Sequence, residues 1–229
     1  MTTKDTKVIN EHTHIRYESK PISKAKVLKQ SEKFYKKMND RRSIRDFSNK
    51  AIPREVIENI IKTASTAPSG AHKQPWTFCV VENPEIKRQI RKAAEAEERK
   101  SYEGRMSDSW LDDIKPMGTN ASKPFIEIAP YIIIVFKHLF EYDDNGEKLQ
   151  NYYVNESVGI ACGMLIAAIQ NAGLKTLTHT PSPMRFLEKI LERPDNERAF
   201  LLLPVGYASS DCFVPKLTRK PLNEISRFY

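Results

Sequence analysis

Cysteine is scarce in this chain: Cys79, Cys162 and Cys212 are its only 3, far apart and outside any CxxC spacing. That number and spacing exclude a disulfide framework and a thiolate metal site, so no metal is expected and a reducing compartment is the default. Long apolar runs are also missing. The longest, VGIACGMLIAAI from Val158 to Ile169, has about 12 residues against the roughly 20 needed to cross a bilayer, and it reads as a buried helix. Residues 1–40 are polar and rich in Lys, with neither a signal peptide nor an apolar anchor, so a soluble, cytoplasmic protein with no membrane partner is expected. No aromatic-and-basic stripe occurs either. The 37 Lys and Arg interleave with 29 Asp and Glu, and despite a net charge of +8 nucleic acid is not expected as a partner. An anionic cofactor is an equally good destination for that charge.

What is present suits one domain of moderate size. The 229 residues are 40% hydrophobic, enough to bury a sizeable core. Residues 1–20 show no apolar period and are expected to form a flexible arm, leaving residues 21–229 as a single domain. A Lys-rich helical pattern runs from about Ile22 to Met38. Pro53 then opens a helix in which Val56, Ile57, Ile60, Ile61 and Ala64 recur at helical spacing. WTFCVVEN reads as a strand, followed by a charged helix from Pro84 to about Tyr102. Between Glu103 and Lys123 the pattern breaks, which suits a lid over about residues 95–125. YIIIVFKH is apolar throughout and reads as a strand buried on both faces. A helix from about Tyr153 to Asn171 closes at Gly173, strands LKTLTH and AFLLLPVGY flank a short helix at 185–191, and an extended tail covers about 209–229. Gly159, Ala161, Gly163, Ala167 and Ala168 would let another backbone approach the long helix, as either core packing or a subunit interface.

Two short stretches carry chemistry. In RRSIR an extended backbone turns Arg41, Ser43 and Arg45 to one side, a geometry that suits a phosphate monoester and equally suits a solvated basic loop. In APSGAHKQPW, residues 67–76, Gly70 permits backbone conformations closed to other residues while Pro68 and Pro75 stiffen the segment. Its N–H groups can form a nest for a ligand's polar edge, or the stretch is a plain tight turn.

RRSIRDFSNKAIP, TAPSGAHKQPWTFCVV, NAGLKTLTHTP, LLLPVGY and KLTRKPL together resemble the nitroreductase superfamily of FMN enzymes, and within it the iodotyrosine deiodinase branch. The resemblance spans about residues 35–225. It implies an α+β nitroreductase-like fold, a central, mostly antiparallel sheet flanked by helices, in an intertwined homodimer with shared active sites. By the same resemblance Arg41, Arg42, Ser43, Arg45 and Arg219 would hold the FMN phosphate and neighbouring polar groups, with Arg219 arriving from the other subunit. Ser69 and Gly70 would lie beside the flavin, the Ala71 N–H would meet a phenolate, and Thr180 would reach flavin N5. Glu98, Tyr102 and Lys123 match the positions that grip an amino acid's zwitterion. Residues i and i+4 share a helix face, so Glu98 and Tyr102 can meet one ammonium, although such a pair is also an ordinary solvated face.

The implied activity is reductive dehalogenation of halogenated tyrosine with electrons from an NAD(P)H-linked donor or reductase, Thr180 and Ala71 standing at the chemistry. A general NAD(P)H-dependent nitroreductase or flavin reductase is the alternative, and a non-catalytic flavin sensor a third. His179 reads as structural, and Cys79 and Cys162 as core residues. The segment PSPMRFLEKILERP after Thr180 departs from the animal pattern of the branch.

Overall fold

The computed structural model describes residues 5–229. The chain divides into a unit ending at Asn39 and a unit spanning Asp40–Tyr229. In the first, β1 (Thr6–Ile9) and β2 (His12–Ile15) pair as an antiparallel hairpin, and α1 (Lys24–Asn39) follows with every residue at least partly exposed. The segment expected as an arm contains a hairpin, and the helix that follows it belongs to the same unit, which ends at Asn39. Left-handed Asn10 and Glu11 make the two-residue turn, the twist that suits a tight hairpin. The first residues of the expected arm lie outside the described residues.

The second unit is built on a four-stranded antiparallel sheet. Its elements run α2 (Arg54–Ser65), β3 (Trp76–Val81), α3 (Pro84–Lys100), α4 (Asp108–Ile114), α5 (Phe125–Ile128), β4 (Tyr131–His138), β5 (Phe140–Tyr142), β6 (Lys148–Gln150), α6 (Val154–Asn171), β7 (Lys175–Thr176), α7 (Arg185–Ile190), β8 (Glu197–Gly206) and α8 (Leu222–Ile225). Strand order in the main sheet is β3-β4-β8-β7, while β5 and β6 form a separate hairpin. The apolar run of β4 sits at the centre because both faces are covered. Tyr131, Ile133 and Val135 face a core with Ile57, Ile60 and Ala64 of α2 and Val158, Ala161, Leu165 and Ile169 of α6. Ile132, Ile134 and Phe136 face a second core with Ile90 and Ala94 of α3, Phe125 and Ile126 of α5 and Leu187 of α7. Truncating any of these isoleucines to Ala should cost about 2–5 kcal/mol.

Helix ends follow local chemistry. Asn83 caps α3 by accepting the N–H groups of Glu85 at 2.9 Å and Ile86 at 3.2 Å, with Pro84 in the first turn. Gly173, at φ +83°, ends α6: its N–H meets Gln170 O and the next N–H, of Leu174, meets Ile169 O, each at 3.1 Å. The strand expected over LKTLTH shrinks to Lys175–Thr176, because Ser43 bridges to Thr176 in parallel and only His179 returns to pair with Leu202. The segment 41–47 is thereby laid along the sheet edge, with Ile44 and Phe47 turned inward and buried.

The β5–β6 hairpin went unread because each strand has only three residues, mostly exposed; its visible sign was Asn145-Gly146, with Gly146 at φ +81°.

Candidate active site

Segment 41–47 supplies the basic wall of a cavity of about 300 Å³. Arg41, Arg42, Ser43 and Arg45 line it together with Met117, Val214, Thr218 and Arg219. Within this chain Arg219 of the tail donates from Nη2 to Arg41 O at 3.0 Å, beside the cavity where the resemblance had it arriving from another subunit. The tail folds back along the RRSIR edge, which spacing alone could not reveal. Burial, and then the charges of Arg219 and Arg42, push the Arg41 guanidinium below its ordinary pKa. No carboxylate lines the cavity, and the buried Arg45 Nε has no hydrogen-bond partner. An unpartnered buried donor among like charges fits a phosphate, whose oxygens accept from planar guanidinium groups. The residues present therefore suit the phosphate end of FMN.

Arg45 links this cavity to a second cluster, since its charge reaches both Lys123 and His179. Glu98 lies near the end of α3, and Tyr102 in the π-helical turn Ser101–Arg105 that follows. Lys123 sits just before α5 and is 3% exposed. Its Nζ is 3.2 Å from Glu98 Oε2 and 5.7 Å from the centre of the Tyr102 ring. Thr119 Oγ1 at 3.1 Å and the Asn120 carbonyl accept further bonds from the same ammonium. Burial lowers the Lys123 pKa, while the Glu98 charge works to raise it. Sequence reasoning missed Glu95, which accepts the Lys123 backbone N–H at 2.7 Å and pairs with Arg91 Nε at 2.8 Å. Its position one turn before Glu98 was the available signal. Thr180 follows this cluster in an exposed position, and His179 is buried inside it.

The loop 67–76 lies elsewhere in the chain. Ala67 belongs to the α2/α6 core, whereas α3, Phe125 and Leu177, which carry the charged cluster, belong to the opposite face of the sheet. The structure therefore brings Arg41, Arg42, Ser43, Arg45 and Arg219 together, and Glu98, Tyr102 and Lys123 together with His179 beside them. Ser69, Gly70 and Ala71 do not join them within one chain. The loop is stiff for a reason other than the expected one: Gly70 is not left-handed, and Ala71, His72 and Gln74 are, at φ 50°, 55° and 49°. Such conformations cost L-residues about 1–2 kcal/mol each and persist where surrounding bonds enforce them. Those bonds run from Gln74 N to Ser69 Oγ at 2.9 Å, Lys73 N to Gly70 O at 3.0 Å and Gly70 N to Ser157 Oγ of α6 at 3.3 Å. Gly70 is required by proximity, because a Cβ there would stand 2.7 Å from Tyr152 O.

An antiparallel sheet with helices on both faces and an arginine-walled phosphate cavity at its edge defines a class of flavin-binding α+β proteins. The chain belongs to the nitroreductase family, whose profile matches residues 38–207. Within that family it is similar to the iodotyrosine deiodinase of Haliscomenobacter hydrossis, 59% identical over 90% of this chain and 93% of the relative. Iodotyrosine deiodinase 1 of Homo sapiens is 46% identical over 93% of this chain and 74% of its own length. A crystal structure of oxidized iodotyrosine deiodinase bound to FMN and 3-iodo-L-tyrosine superposes with a TM-score of 0.73 at 32% identity, over 86% of this chain and 98% of that one. Among the described residues no helix is long and apolar enough to cross a membrane, and no cluster of His, Cys, Asp and Glu could hold a metal.

Proposed function

We propose that this protein is an FMN-dependent enzyme that removes halogen from halogenated tyrosine, releasing tyrosine and halide. The carrying observation is the convergence of Glu98, Tyr102 and Lys123 beside the arginine cavity. An amino acid's ammonium needs a carboxylate and its carboxylate needs a cation, and this cluster presents both charges where water has little access. Arg41, Arg42, Ser43, Arg45 and Arg219 would hold the cofactor's phosphate and neighbouring polar groups. Bound reduced FMN would supply the two electrons which, with one proton, replace the carbon–halogen bond by a carbon–hydrogen bond as halide leaves.

The rest falls to the chain. Glu98 and Lys123 pair with each other at 3.2 Å, so a zwitterion enters by exchanging partners with both, and the buried charges stay compensated throughout. The segment from the end of α3 to Lys123 would close over the ligand and exclude water. Thr180 would place its hydroxyl against the flavin ring. The Ala71 N–H would meet the ligand's phenolate, which a halogen at the ortho position favours by lowering the phenol pKa below the roughly 10 of tyrosine.

Ser69, Gly70 and Ala71 lie on the other face of the sheet from the charged cluster, so a second copy of the chain completes the site in this reading. The outer side of α6 supports that pairing: Gly159 and Gly163 have open space where a Cβ would be, and Ile160 between them is 46% exposed. An NAD(P)H-linked reductase or donor would deliver the reducing equivalents.

The test is anaerobic. FMN-loaded protein reduced with dithionite and mixed with 3-iodotyrosine should release tyrosine and iodide in step with flavin reoxidation. If the flavin stayed reduced with iodotyrosine yet reoxidised with a nitroaromatic, the general nitroreductase reading would replace this one.

A further inference from the structure

His179 is the one buried titratable side chain in the charged cluster to which the reaction as described gives no task. Its backbone is fixed twice to β8, with N–H to Leu202 O at 2.9 Å and C=O receiving Leu202 N–H at 3.1 Å. The ring stands edge-on to Phe125, 5.6 Å between centroids and 89° between planes, and the residue is 7% exposed. Nε2 is buried with no hydrogen-bond partner. Nδ1 stands 3.9 Å from Glu98 Oε1, just beyond hydrogen-bond reach, while Lys123 holds the other carboxylate oxygen at 3.2 Å.

Three charged groups face the ring: Glu98 from α3, Lys123 from the segment before α5, and Arg45 from the sheet edge. Burial first, and then the charges of Lys123 and Arg45, push the His179 pKa down to about 3, so the imidazole is neutral at physiological pH. A neutral imidazole has one N–H. Placed on Nε2 it would be a buried donor without an acceptor; placed on Nδ1 it faces a carboxylate.

We infer that His179 is a positioning residue for the amino-acid grip: its Nδ1–H becomes the hydrogen-bond donor to Glu98 when Lys123 turns from Glu98 to a ligand's carboxylate. Glu98 then keeps its aim on the ligand's ammonium although its original partner has left. The inference rests on the reading of Glu98 and Lys123 as the zwitterion grip. A donor is required at this place and a charge is not, which separates the idea from a general acid: a ring with so low a pKa carries no proton to give near neutrality.

The experiment compares FMN-loaded wild type with His179→Leu, His179→Gln, Glu98→Gln and the double variant Glu98→Gln/His179→Leu. Halotyrosine affinity is read from its effect on flavin fluorescence, and KM and kcat from turnover. His179→Leu should weaken halotyrosine about tenfold in Kd and KM, the worth of one hydrogen bond to a charged group, with kcat at saturation changed less than about threefold. His179→Gln, which keeps an N–H donor, should recover most of that loss. In the Glu98→Gln background His179→Leu should add little, because the charge it serves is gone. Imidazole ¹⁵N spectra of the wild type should show Nδ1 protonated, and its proton should shift downfield when halotyrosine is added. A Glu98→Gln variant with unchanged affinity would overturn the grip itself. If Glu98→Gln weakened binding while His179→Leu did not, or if the proton lay on Nε2, the role of His179 alone would fall.

Discussion

The two faces of the sheet hold their halves of the proposed site by opposite means. On the α2/α6 face the loop 67–76 has few charged side chains and owes its shape to three left-handed L-residues and a glycine pressed against Tyr152 O. On the α3/α5/α7 face the groups are charged, and their places are set by pairing: Lys123 on Glu98, and Arg219 on the carbonyl of Arg41. Rigid backbone serves a contact whose direction matters, such as one N–H to a phenolate. Exchangeable ion pairs serve a ligand that must enter and leave. In one chain the two halves do not meet, and the comparison therefore predicts an enzyme whose site is completed by a second copy.

The sharpest way to break the comparison is Gly70→Val. The nearest atom is a backbone oxygen at 2.7 Å, which cannot swing aside, so the loop must move and turnover should fall at least about 100-fold. Circular dichroism should meanwhile show the fold intact.

Next comes acid stability, to which the buried His179 of the charged cluster contributes. His179 falls from the ordinary 6.5 to about 3 in the folded chain, so between those values the unfolded state binds the extra proton and stability drops as pH falls. Urea denaturation should show about 3 kcal/mol lost from this source between pH 7 and pH 4, absent in His179→Leu. A third variant, Lys123→Ala, leaves the Glu98 carboxylate without its cation and should weaken halotyrosine about 30-fold by fluorescence titration, with FMN affinity unchanged.

A smaller effect is expected of Arg219→Lys, which keeps a charge but loses the planar fork, and FMN affinity measured by ultrafiltration should drop about fivefold. The smallest concerns the thiols. Burial raises the pKa of Cys79 and Cys212 and pushes that of Cys162 up to about 12, so iodoacetamide at pH 7 should leave turnover unchanged.

Elements with one strong local cause were legible in the sequence. The continuous apolar run of β4 announced burial on both faces, Pro84 the start of α3 and Gly173 the end of α6. RRSIR stood out by its charge, whereas Glu98, Tyr102 and Lys123 were legible only through the family resemblance, since their spacing alone equally suits a solvated helix face. Contacts between distant segments were not legible: Arg219 against Arg41 joins residues 178 apart, and Gly70 against Ser157 joins residues 87 apart. The strand after Gly173 was overestimated: continuous pairing with β8 covers only Lys175 and Thr176, and beyond them His179 alone returns to bridge Leu202. In the loop the strain fell on Ala71, His72 and Gln74, where side-chain bonds rather than residue type decide the backbone.

The most direct measurement mixes two crippled chains. Gly70→Val spoils the rigid half and Glu98→Gln/Lys123→Ala the charged half. Co-expressed in equal amounts and assayed well below halotyrosine saturation, they should recover roughly a quarter of wild-type dehalogenation, since random pairing leaves one intact site in each mixed dimer. No recovery, with mixed dimers demonstrated by differential tagging, would place both halves of the site in one chain and contradict the account.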